Sequence, residues 1–180
     1  PAAFVTSPKV RAGLSAVALP FFYMGAVGIL ATPYLQLVTG FTALQTGMLS
    51  LLSGIPMFLL ATFLPKLAPH LSSRLIIRTG FIAIAIACAL MAFGVHAHGV
   101  TGTLFAGMAL GGFGVGAVNS QSNNAVACAV TRKEAEQSGG IQGAARSIGL
   151  ALGTALAGTF LLLTMAGGFA AQAASAGIDQ

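Results

Sequence analysis

The chain has 180 residues, of which 56% are hydrophobic and 6% charged, with eight Lys and Arg against three Asp and Glu and a mean hydropathy of +0.91. Soluble domains carry about a quarter charged residues, so these few cannot cover a water-exposed surface and a soluble globule is excluded. Disorder is excluded because the 24 Gly and 7 Pro sit within apolar runs that collapse. Nucleic-acid binding is excluded because the net charge of +5 is scattered over short segments instead of forming a basic face. The composition defines an all-α polytopic membrane protein whose first partner is the lipid bilayer.

Charges are costly in hydrocarbon, so the gaps between them measure the embedded stretches. Lys9 and Arg11 precede a stretch without formal charge that ends only at Lys66. One span needs about 20 residues, so this gap holds two helices and a turn. Val38-Thr39-Gly40-Phe41-Thr42 is the break, giving spans at about 12–37 and 43–64. The first apolar run is too long for the core of a secretory signal, which has 7 to 15 residues. The next gap, from Arg78 to Arg132, is divided by His96-Ala97-His98-Gly99 into spans at about 75–95 and 100–130. After Arg146 there is room for a fifth span at about 147–166, followed by a polar tail, 167–180. The absence of an initiator methionine before Pro1, together with that tail, reads as a piece of a longer protein.

Lys66, Arg74 and Arg78 join spans two and three, Arg132, Lys133 and Arg146 join spans four and five, and the other connections hold neither Lys nor Arg. The positive-inside rule therefore puts the N-terminus in the cytoplasm and the C-terminal tail outside. In a protein with Cys88 and Cys128 replaced, an impermeant thiol reagent applied to intact cells should label Thr42→Cys and spare Ser72→Cys. The reverse pattern would overturn this topology.

Small residues recur every four positions in the last two spans: Gly112, Gly116, Ser120 and Asn124 in one, Ala145, Gly149, Gly153 and Ala157 in the other. Such stripes let helices approach closely, and they point to packing before they point to a ligand. Span four also carries the polar run Asn119-Ser120-Gln121-Ser122-Asn123-Asn124. Counted from the cytoplasmic ends, Asn123 and Arg146 lie at the same depth, with Gln142 one turn before Arg146, so these three form an expected latch or gate. In span one, Pro20 and Pro33 are kink sites, and Phe21, Phe22, Tyr23 and Met24 suit either plain packing or a pliable apolar pocket. Gln36 near its outer end, with Phe22, Tyr23, Met24, Asn119 and Asn123, completes the candidates for a substrate cavity.

Glu134, Glu136 and Asp179 all fall in connections or tail, leaving no span with a carboxylate to carry a proton. No zinc-protease, hydrolase-elbow or phosphate-loop motif is present, which speaks against an enzyme. Cys88 and Cys128 lie in or near lipid and suggest neither a disulfide nor a metal site.

Four stretches carry a family resemblance. Tyr34-Leu35-Gln36 followed by Thr39-Gly40-Phe41-Thr42-Ala43-Leu44-Gln45-Thr46-Gly47 sits at the outer hairpin, and Pro65 to Arg74, with Lys66 and Arg74 as its basic positions, at an inner loop. Gly111 to Gly116, and Arg132 to Gln137 running on into Ser138 to Gly153, which contains Ala145-Arg146 and the pair Gly149 and Gly153, complete the set. Together these resemble the C-terminal half of major facilitator superfamily transporters, most closely the fourteen-helix drug:proton antiporters. In the inner-loop motif Pro69 stands where the family usually has Asp.

The resemblance covers about residues 10–166 and implies five helices of a six-helix bundle made of two inverted triplets, the last helix missing. It further implies that spans one and four line a central cavity and that an N-terminal half of the same transporter, itself missing, completes the machine. An amphipathic, often cationic drug would then leave the cell in exchange for protons across the bacterial inner (plasma) membrane. No cofactor is implied, the proton gradient being the motor. A major-facilitator permease for a defined metabolite is the alternative within transport, and a non-transporting membrane anchor subunit is the alternative outside it.

Overall fold

The computed structural model describes residues 8–67, 72–96, 99–129 and 135–175. Five helices carry the chain: α1 (Pro8–Pro33), α2 (Ala43–Leu67), α3 (Ser73–Gly94), α4 (Gly102–Ala129) and α5 (Ala135–Ser175). Each contributes an apolar stretch long enough to cross a membrane: 13–38, which runs five residues past the end of α1, then 43–64, 73–94, 102–122 and 139–169. Spans of this kind must be helical, because hydrocarbon offers backbone N–H and C=O groups no partners.

The first turn is built by local chemistry. α1 widens into a π-helical segment, Tyr34–Val38. It ends where the Thr39 N–H donates to the Tyr34 carbonyl at 3.2 Å and the Phe41 N–H to the Leu35 carbonyl at 2.9 Å. Between them Gly40 adopts φ +72°, a left-handed conformation that side-chain-bearing residues rarely take. α2 then opens on a capping box: the Thr42 N–H donates to Gln45 Oε1 at 2.9 Å and the Gln45 N–H to Thr42 Oγ1 at 3.3 Å. Ser72 caps α3, its Oγ accepting from the Leu75 N–H at 3.4 Å. At the other turn, β1 (Val95–His96) and β2 (Gly99–Val100) pair antiparallel, Val95 opposite Val100 and His96 opposite Gly99.

The fifth helix departs from the expected boundaries. It starts before the expected span at 147–166 and continues through 167–175, which polarity alone marked as tail. No proline interrupts 135–175, and the Ala- and Gln-rich stretch 170–174 has good helix propensity despite its low hydrophobicity. Lys66 lies in the last turn of α2 and Arg74 in the first turn of α3, where it is exposed. The connection between them, including Pro69, falls outside the described residues, as do Arg132 and Lys133.

α4 is the centre of the bundle. It packs along both α2 and α3 and also touches α1, while α5 lies along α1. Val115, Ala117 and Val118 are buried on it almost completely. The other helices turn large side chains outward, among them Leu44, Phe58, Phe93, Phe160 and Leu162, as lipid-facing surfaces must. The glycine stripes account for the close pairings. Side-chain carbons at Gly112 and Gly116 would collide with the backbone of α2 at Ser53 and Met57, and those at Gly149 and Gly153 with the backbone of α1 at Ala18 and Phe22.

Candidate functional site

Two features converge on the middle of α1. Pro20 is fully buried there, and the four residues after it point in different directions around the helix. Phe21 faces α5, Tyr23 faces α3 and α4, and Met24 is partly exposed.

The Tyr23 hydroxyl donates to Met91 Sδ of α3 at 3.6 Å and rests against Gly111 of α4, whose missing side chain leaves room for it. Tyr23 thus ties three helices together and forms part of the wall of two cavities. The larger, about 540 Å³, lies between α1, α3 and α4 and is lined by Phe22, Tyr23, Phe81, Cys88, Met91 and Leu104 among other apolar residues. The smaller, about 290 Å³, lies between α1, α2 and α4 and mixes Met24, Met57 and Met108 with Tyr23, Thr46, Ser50 and Ser53.

On the other side of α1, Arg146 of α5 reaches into the bundle. Its Nη2 donates to Asn119 Oδ1 of α4 at 3.2 Å, and its guanidinium carbon stands 5.4 Å from the centroid of the Phe21 ring. Arg146 lies seven residues beyond Gly139, where the apolar stretch begins, so it sits roughly 10 Å inside at 1.5 Å per residue. An arginine at that depth is costly unless polar and aromatic partners replace its water, and here an amide and a ring face do so. The cluster joins α1, α4 and α5 through one side chain.

The candidates named from sequence are therefore spread over distinct places. Phe22 lines the larger cavity, Met24 the smaller and Tyr23 both. Gln36 is exposed in the π-helical segment. Asn119 holds Arg146, Gln142 is half-buried one turn before Arg146 on α5, and the Asn123 side chain lies outside the described residues. Thr46, Ser50 and Ser53 were not singled out from sequence. Their spacing of four and three residues places them on one face of α2, a polar stripe hidden in an apolar span.

Among the described residues no group of three His, Cys, Asp or Glu is placed to hold a metal ion. No family model, characterised protein or solved structure matches the chain.

Proposed function

We propose that this chain is part of a secondary active transporter that exports amphipathic, cationic drugs in exchange for protons by alternating access. The observation that carries the reading is the larger cavity at the middle of α1, whose aromatic, methionine and aliphatic walls suit a pliable apolar ligand. The helix pairing supports the same reading. α1 lies along α5 and α4 along α2, and exchanging the first triplet of helices for the second converts one pairing into the other. That relation is expected of two inverted triplets.

In this scheme Arg146, Asn119 and Phe21 form a latch on the cytoplasmic side of the cavity that holds α5 to α1 and α4. The coupling proton needs a titratable group within the membrane, and Glu134, Glu136 and Asp179 stand outside the apolar stretches. The coupling acid then belongs to a further part of the transporter. In vesicles with an imposed pH gradient, the complete transporter should move a cationic dye, and residues 1–180 alone should not. Gradient-driven movement by residues 1–180, lost on Arg146→Ala and kept when all three acids are neutralised, would refute the proposal.

A further inference from the structure

The smaller cavity differs from the larger in the chemistry of one wall. Three hydroxyls of α2 line it, and each spends its single hydrogen within its own helix. Thr46 Oγ1 donates to the Thr42 carbonyl at 3.1 Å, Ser50 Oγ to the Thr46 carbonyl at 3.0 Å, and Ser53 Oγ to the Ser50 carbonyl at 2.9 Å. Facing them, Tyr23 sends its hydrogen away to Met91 on α3. What these four groups offer the cavity is lone pairs. Met24, Met57 and Met108 add thioether sulfurs, which are weak acceptors and polarizable, and no lining residue carries a formal charge. Thr32 on the α1 wall keeps a rotatable hydroxyl.

A neutral wall that presents acceptors inside a membrane bundle discriminates among ligands by their donors. An anion meets lone pairs and is repelled. A quaternary ammonium gains dipole attraction but makes no N–H hydrogen bond. A primary ammonium gains both, and charge-assisted hydrogen bonds are the stronger kind. There is room for such a group, since a side-chain carbon added at Gly28 or Gly54, both in the lining, would meet nothing within 4 Å.

We infer that this cavity binds the protonated amine end of an amphipathic amine through Thr46, Ser50 and Ser53, selecting N–H-bearing ammonium over quaternary ammonium. The inference deepens the exporter reading and rests on it for taking the cavity as part of the drug path.

The test uses the purified protein in lipid nanodiscs and calorimetric titration at neutral pH with three probes of similar body: 2-phenylethylammonium, its N,N,N-trimethyl analogue and 3-phenylpropionate. The primary ammonium should bind at least about tenfold more tightly than the trimethyl analogue, the worth of one charge-assisted hydrogen bond. The propionate should be weakest. Thr46→Val, Ser50→Ala and Ser53→Ala together should abolish the preference between the two cations. Gly54→Leu, which extends into open space, should fill the cavity and weaken both. Equal binding of the two cations, tighter binding of the propionate, or a preference that survives removal of all three hydroxyls would overturn the assignment. The two readings separate cleanly: the predicted selectivity without gradient-driven transport leaves this site and removes the exporter, whereas transport without that selectivity does the opposite.

Discussion

Gly153→Leu is expected to separate α5 from α1 and to leave a protein that is strongly destabilised or fails to assemble. A side-chain carbon at residue 153 lands on the Phe22 carbonyl oxygen, and one at residue 149 on that of Ala18. Both obstacles are helix backbone, which cannot rotate aside as a side-chain tip can. Overpacking typically costs 1–3 kcal/mol, and at a backbone contact we expect Gly153→Ala to reach about 3 kcal/mol and Gly153→Leu to exceed it. For a chain of 150–250 residues, about 3 kcal/mol corresponds to a fall of roughly 6–12 °C in melting temperature. The control is Gly143→Ala on the same helix, where an added carbon meets nothing within 4 Å and helix propensity favours alanine. Thermal unfolding in detergent should show Gly153→Ala well below the parent and Gly143→Ala level with it or above. Equal melting of the two variants would mean that α5 does not approach α1 as closely as the structure shows.

This contrast shows where sequence stops informing. The spans follow from the positions of Lys9, Arg11, Lys66, Arg78 and Arg132, because charge is costly in hydrocarbon whatever the tertiary fold. The first outer turn follows from Gly40, and the start of α2 from the Thr42 and Gln45 pattern, since both are local. The spacing of Gly112 with Gly116 and of Gly149 with Gly153 announces close packing, but a stripe does not name its partner. That the first pair meets α2 and the second meets α1 is a property of the assembled bundle. The end of α5 was obscured for another reason: hydropathy reports where lipid ends, and a helix rich in Ala continues past that point. Depth along a helix carries an error of about one turn, and Asn119 and Asn123 are about one turn apart, roughly 6 Å of rise. Sequence therefore paired Arg146 with Asn123, one turn along α4 from Asn119, which accepts from it in the structure. The hydroxyl row of α2 was legible only as three small polar residues, because nothing local says that Tyr23 and Met24 of α1 and Met108 of α4 stand across from them.

The Arg146 cluster gives the second large effect, and its sign is informative. Asn119→Leu takes the amide acceptor from a guanidinium that stays roughly 10 Å inside the apolar stretch, whereas Arg146→Met removes the charge together with its desolvation cost. Hydrogen bonds to charged groups are worth about 1.5–3 kcal/mol, while side-chain pairs within membranes average nearer 0.6 with an upper end of about 1.7. The Phe21 face, 5.4 Å away, adds a cation-π attraction of up to about 2 kcal/mol to the charged form alone. Asn119→Leu should accordingly destabilise by about 1–2 kcal/mol. Arg146→Met should cost less than that in stability, and the double variant should melt close to Arg146→Met, because the amide matters only while the guanidinium is present. On the proposed exporter reading, transport should follow a different order: Arg146→Met should abolish it, since a latch that cannot engage would leave that side without its closed state, and Arg146→Lys should restore little because an ammonium lacks the planar donor fork. Additive losses in the double-mutant cycle would show that the two side chains are independent. Unchanged transport in Arg146→Met would show that the cluster is a fixed strut between α1, α4 and α5 and not a latch.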